Sequence, residues 1–240
     1  MARDGVALVT GAAGALGRAV AQTLAQNGYK VAIVDRAVHP GGRAELDQLA
    51  VSLRGYAVVG DISAESTWTD AMPRIVRELG EAPSVAALVA GGWVGGKPLH
   101  EETTDETWHA MMTANLETVH RSLRAVLPAM VAQRRGSVVV VGSRAGDRPE
   151  TSPRAAAYAA SKAAVVALAQ AAAAEVLDRG VRVNAVLPST MDTPANRAAM
   201  PKADASKWVS LASAAGVIAF LLSDQAKDIS GAAVPIYGRA

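Results

Sequence analysis

The 240-residue chain has no cysteine. That excludes a disulfide framework and any thiolate site, catalytic or metal-binding. It agrees with a cytoplasmic location, which is the expectation here. No basic tract is present either. The 24 Lys and Arg are scattered against 22 Asp and Glu, for a formal charge of +2, so nucleic acid is not expected as a partner. His39, His100, His109 and His120 lack the spacing of metal-ligand pairs, and no metal is expected. No secretory signal is read at the start, because Val6–Thr10 already has the pattern of a strand. The longest apolar stretch, Ala163 to Ala174, is interrupted by Gln170 and is expected to be too short to cross a bilayer. A linker rich in Pro, Gly and Ser is missing, as are internal repeats, so residues 1–240 read as one domain.

What the chain does have is apolar residues, half of the total, enough for a large core. They fall in short β-branched runs that alternate with longer helical patterns. Strands are expected at Val6–Thr10, Tyr29–Asp35, Tyr56–Gly60, Val85–Ala90, Ser137–Val141, Val181–Leu187 and Ala232–Ile236. Between them, helices are expected near Leu16–Asn27, Arg43–Leu53, Ser66–Leu79, Asp105–Ala132, Ala155–Asp178 and Leu211–Leu222. Pro73 and Pro128 should kink or delimit two of these. The alternation predicts an α/β, Rossmann-type, doubly wound sheet of seven mostly parallel strands with helices on both faces.

Four sequence features carry chemistry. Thr10-Gly-Ala-Ala-Gly-Ala-Leu-Gly17 joins the first strand to the first helix. There Gly11, Gly14 and Gly17 allow a tight turn and bring backbone amides close to a pyrophosphate at a helix N-terminus. Asp35 ends the second strand, where a carboxylate can accept ribose hydroxyls and would repel a 2′-phosphate. The cofactor expected is therefore NAD(H), with NADP(H) not excluded because Arg36 follows. Asp61, after the third strand, is placed either to reach an adenine amino group or simply to close a turn. Finally, Tyr158 and Lys162 stand four apart in an alanine-rich helix and so share a face. An ammonium beside a phenol, with the positive helix end, would lower the phenol's pKa and suit it to proton transfer.

The glycine turn, Asp61, Asn115, Ser143, Tyr158-x-x-x-Lys162 and Leu187-Pro188 to Thr193-Pro194 together resemble the short-chain dehydrogenase/reductase family, from about Val6 to Gly238. The resemblance implies hydride transfer between a nicotinamide and a small carbonyl or alcohol. It assigns Tyr158 as acid or base, Lys162 to the ribose, Ser143 to the substrate oxygen and Asn115 to a water in the proton path. It lines the dinucleotide with Gly11, Ala13, Gly14, Leu16, Gly17, Asp35, Arg36, Asp61, Ile62, Ala90, Gly91, Gly92, Pro188, Met191 and Thr193. Trp93, Ser143 and Trp208 border the substrate, under a lid of about residues 189–209. The family usually has glycine at Ala15 and Ser189, and asparagines before Ala90-Gly91. The lost asparagines would have pinned strands together, so that support must come from elsewhere. Gly14–Gly17, Ala90–Gly96 and Ala185–Arg197 also resemble dihydropteridine reductase locally, which leaves a pterin or imine reductase as an alternative. A non-catalytic dinucleotide-binding regulator is the alternative of another class. The two longest helices, the second with small residues at Ala159, Ala163, Ala167, Ala171 and Ala174, either pack closely within one subunit or, as the family resemblance implies, build the interface of a homo-oligomer, dimer or tetramer.

Overall fold

Strands that read as uninterrupted apolar runs must be covered on both faces, and they are. The computed structural model describes residues 5–37 and 41–239; His39 lies outside them. The strands are β1 (Val6–Thr10), β2 (Lys30–Asp35), β3 (Tyr56–Val59), β4 (Val85–Leu88), β5 (Gly136–Val141), β6 (Val181–Pro188) and β7 (Ala233–Ile236). They form one seven-stranded sheet in the order β3-β2-β1-β4-β5-β6-β7. Every pairing is parallel, so no strand is reversed where the sequence left room for one.

Alternate residues of each strand feed two cores. Val9, Ile33, Val139 and Val186 face one side; Leu8, Val34, Val140 and Val183 face the other. Helices α1 (Ala15–Gln26), α2 (Gly42–Ser52) and α9 (Leu211–Leu222) cover the first side. On the second lie α3 (Glu65–Leu79), α5 (Thr118–Gln133) and α7 (Ala156–Val176). Three shorter helices, α4 (Glu106–Met111), α6 (Arg144–Asp147) and α8 (Pro194–Ala199), stand outside these layers. Strand order reverses between β1 and β4, and the crevice beyond their carboxyl ends is where such sheets take ligands.

Several expectations need correction. The helix expected over Asp105–Ala132 is interrupted by a π-helical stretch, Met112–Glu117, between α4 and α5. Pro73 and Pro128 end neither helix. Both are exposed, so the carbonyl each leaves without a helical donor faces water. The strands drift by a residue or two at their ends; β4 stops at Leu88, which frees Ala90 for the site. Finally, α7 extends to 21 residues, and Ala156–Arg179 is long and apolar enough to cross a membrane by length and composition. One of its faces nonetheless lies on the sheet with Ser161 and Lys162 buried, the position of a layer helix.

Candidate active site

The turn after β1 is built by sterics at two positions. Gly11 has φ 75°, and a Cβ there would stand 2.8 Å from the Ala90 backbone nitrogen. A Cβ on Gly17 would lie 2.1 Å from the Gly11 carbonyl oxygen. Gly14, by contrast, caps α1 in an extended conformation and meets little besides that same oxygen. No side chain caps α1 and no acidic residue occupies its first turn, so its first amides are left for an anion. Asp35 is buried beside this turn. One carboxylate oxygen accepts the Ala13 N–H at 2.7 Å and the other the Arg36 N–H at 2.7 Å. Each oxygen retains a second acceptor direction for a ribose hydroxyl. Burial pushes the Asp35 carboxyl above its usual pKa, and these two bonds with the Arg36 charge oppose that rise. The donor set thus fits a dinucleotide.

Asp61 closes a turn: its Oδ1 accepts both the backbone N–H and the hydroxyl of Ser63, at 3.0 and 2.7 Å. Ile62 is buried, and its carbonyl accepts the Trp68 indole N–H at 2.9 Å.

Beyond β4 the loop is held by long-range bonds. Thr10 Oγ1 accepts the Ala90 N–H at 3.1 Å. Asn115, fully buried in the π-helical stretch, accepts the Gly92 N–H at 2.9 Å and donates to Gly92 O at 3.1 Å. It also donates to Ser161 Oγ at 3.0 Å, and Ser161 in turn donates to the Tyr158 carbonyl at 2.8 Å. The Asn115 side chain thereby ties the glycine loop to α7. Trp93 in that loop is 62 % exposed, which rules out a core role, and lies against Gly95 beside the start of α7.

Tyr158 and Ser143 come together, and Lys162 is buried one turn further along α7. The Tyr158 phenol is hydrogen-bonded to the Ser143 hydroxyl. Lys162 is buried and donates to the Val141 carbonyl at 2.8 Å, while a Cβ on Gly91 would stand 3.2 Å from its Nζ. The expected depression of the phenol is not the balance found. Burial pushes Tyr158 up, and only the Ser143 bond holds it down. Lys162 itself is lowered from 10.5 to about 8 by desolvation, and its ammonium is directed at Val141 rather than at the phenol.

A family model described as short chain dehydrogenase matches residues 5–204. The chain belongs to the short-chain dehydrogenase/reductase family. The 3-oxoacyl-acyl-carrier-protein reductase FabG of Escherichia coli (strain K12) is 31% identical over 241 residues, 97% of this chain and 96% of that one. Cyclohexanol dehydrogenase of Rhodococcus sp. (strain TK6) is 35% identical over 264 residues, covering 98% and 96%. The crystal structure of carveol dehydrogenase from Mycobacterium avium in complex with NAD matches with a TM-score of 0.83 at 26% identity, covering 98% of this chain and 96% of that one. None of these three is a pteridine reductase.

As in others of the short-chain dehydrogenase/reductase family, β6 runs into the site, though here by way of Ser189 in place of glycine. Its N–H donates to Ile236 O at 3.0 Å and its hydroxyl to Tyr237 O at 2.7 Å. Thr193 caps α8, accepting the Asn196 N–H at 3.1 Å, and Asn196 Nδ2 donates to Met191 O at 2.8 Å. Thr190 O accepts the Val209 N–H at 2.9 Å, and Val209 O accepts the Asp192 N–H at 2.8 Å. The segment over residues 189–209 is thus a loop with a paired stem, ending at half-buried Trp208. Ser161 and Asn196 were missed by sequence reasoning. Ser161 had a signal, as a lone hydroxyl between Tyr158 and Lys162 in an alanine run. Among the described residues, no three His, Asp or Glu stand together as metal ligands.

The buried Lys162 predicts a pH-dependent stability. Between about 8 and 10.5 the unfolded chain binds a proton that the folded chain does not, so stability rises with pH across that window and is penalised below it. The penalty is of order 3 kcal/mol. In denaturant titrations without added dinucleotide, Lys162→Met should be more stable than wild type near neutral pH and flat across that window. Equal slopes in the two proteins would show that Lys162 does not titrate there.

Proposed function

We propose that this chain is an NAD(H)-dependent oxidoreductase that moves hydride between a nicotinamide and a small carbonyl or alcohol. The observation that carries the reading is the Ser143–Tyr158 hydrogen bond beside a buried Lys162. Among the described residues no carboxylate pairs with that ammonium, which is what a lysine kept for sugar hydroxyls and a developing phenolate requires. A bound nicotinamide would supply or accept the hydride. In reduction Tyr158 gives its proton to the substrate oxygen while Ser143 donates a hydrogen bond to it, stabilising the charge that gathers there. In oxidation the tyrosine takes the proton back. The amides of α1 and the Asp35 carboxylate would hold the dinucleotide, with Lys162 on the nicotinamide ribose. The names of the relatives, which include a cyclohexanol dehydrogenase and a carveol dehydrogenase, support small alcohols and ketones as substrates. A silent regulator would have no physical need for this set of proton-handling groups.

With the best substrate from a panel of ketones, alcohols and quinonoid pterins, Tyr158→Phe should lower kcat/KM by at least about a hundredfold. Unchanged turnover would remove the tyrosine mechanism. Ser143→Ala removes the bond that holds the phenol down, so the pH limb of alcohol oxidation should move to higher pH. An unmoved limb would separate Ser143 from proton transfer.

Asp35 should make NADH bind more tightly than NADPH, and Asp35→Ser should narrow the gap. Calorimetric titration giving NADPH the higher affinity for wild type would overturn the cofactor assignment.

A homo-oligomer is part of the same proposal. Of the alanines expected to allow close approach, Ala159 is buried within the subunit, but Ala163, Ala167, Ala171 and Ala174 face outward on α7. Beside them is a groove of about 500 Å³ lined by Leu99, Trp108, Ala156 and Ala160, with Leu99 66% exposed. Sedimentation equilibrium should give a dimer or tetramer, and Ala167→Arg should shift it to smaller species; a monomeric wild type would end this part of the reading.

A further inference from the structure

The segment after β7 touches three parts of the site at once. The Tyr237 hydroxyl donates to Asp147 Oδ2 at 2.6 Å. The guanidiniums of Arg144 and Arg148 lie 5.3 and 5.7 Å from the centre of its ring. All three partners belong to α6 or its cap, and Ser143 is the residue that opens α6, its hydroxyl accepting the Ala145 N–H at 3.1 Å. In the other direction, Ser189 is bonded to the carbonyls of Ile236 and Tyr237. The Arg239 N–H donates to Lys207 O at 3.0 Å, at the closing end of the lid segment. Gly238, at φ 62°, approaches that oxygen so closely that a Cβ would stand 2.9 Å away.

A helix of four residues cannot hold itself, because one turn costs more chain entropy than its hydrogen bonds return. Inside, α6 rests on α7: a Cβ on Gly146 would stand 2.7 Å from the Ala163 nitrogen and the Lys162 carbonyl carbon. Outside, Tyr237 closes over it. Partial burial and the Asp147 carboxylate push the phenol's pKa above its ordinary value, so it stays a donor. Where α6 sits decides where the Ser143 hydroxyl meets Tyr158.

We propose that Tyr237 is a positioning residue: a latch from the C-terminal strand that holds α6, and with it Ser143, against Tyr158 and in register with the loop after β6. The proposal rests on the roles given above to Ser143 and Tyr158. Tyr237→Phe keeps the ring between the two arginines and loses only the bond to Asp147. Hydrogen exchange of the amides of residues 143–148 should then be about tenfold faster, the scale of losing a hydrogen bond to a charged group. In the same variant kcat should fall about tenfold with NADH affinity unchanged. Asp147→Asn, which can still accept the phenol proton, should keep most of the rate, whereas Asp147→Ala should behave as Tyr237→Phe does. In a Ser143→Ala background Tyr237→Phe should cost nothing further, since its effect passes through that serine. Unchanged exchange at residues 143–148 would overturn the latch, as would a full extra loss in the Ser143→Ala background. A harmless Ser143→Ala would overturn the reading of Ser143, while the exchange measurement would still decide the latch.

Discussion

Among the described residues no carboxylate is paired with the buried Lys162 ammonium, a costly arrangement that the surrounding groups are shaped to hold. Lys162 sits in the interior of α7 with its Nζ on the Val141 carbonyl, in the narrow space left by Gly91. Any side chain on Gly91 would crowd both that nitrogen and Asn115 Oδ1, for which a Cβ distance of 2.7 Å leaves no room. The glycine after β4 is therefore required by the lysine as much as by a cofactor. A protein has little reason to tolerate a desolvated cation unless something later gains from it. In the proposed reaction that gain would fall to a phenolate forming on Tyr158, one turn before Lys162, since a cation in low dielectric stabilises such a charge far more than one in water.

Holding that arrangement falls to groups distant in the chain. Asn115 bridges Gly92 and Ser161, so the β4 loop, the π-helical stretch and α7 are tied through a single amide. The π-helical stretch spans Asn115, and interruptions of this kind mark helices bent to a functional purpose. The loop after β4 is thus held by an amide from another element.

The fold was legible because its determinants are local. Apolar runs such as residues 31–34 and 185–188 suit strands covered on both faces, and Gly11 and Gly17 are dictated one by one by the atoms they approach. That Tyr158 and Lys162 sit on one helix was likewise readable from a spacing of four. Their electrostatics were not. Spacing places two side chains on one face but says nothing of depth, and it is depth that raises the Tyr158 pKa and lowers that of Lys162. The partners of Asn115, Ser189 and Tyr237 were hidden for a related reason: each bond joins segments tens of residues apart, and no local pattern encodes it.

That division bears on where specificity resides. The dinucleotide side of the crevice is fixed by backbone: the turn at Gly11, the amides of α1 and the pairing of β1 with β4. The substrate side is fixed by side chains on short or irregular pieces, namely α6, the Trp93 loop and the stemmed loop carrying α8. Such pieces take their positions from their neighbours rather than from their own hydrogen bonds. On the proposed reading, changes at Trp93, Trp208 or residues 146–153 would reshape the substrate pocket without disturbing the sheet. A scaffold of this kind can keep its proton-transfer pair constant while its substrate changes, since the two depend on different sets of contacts.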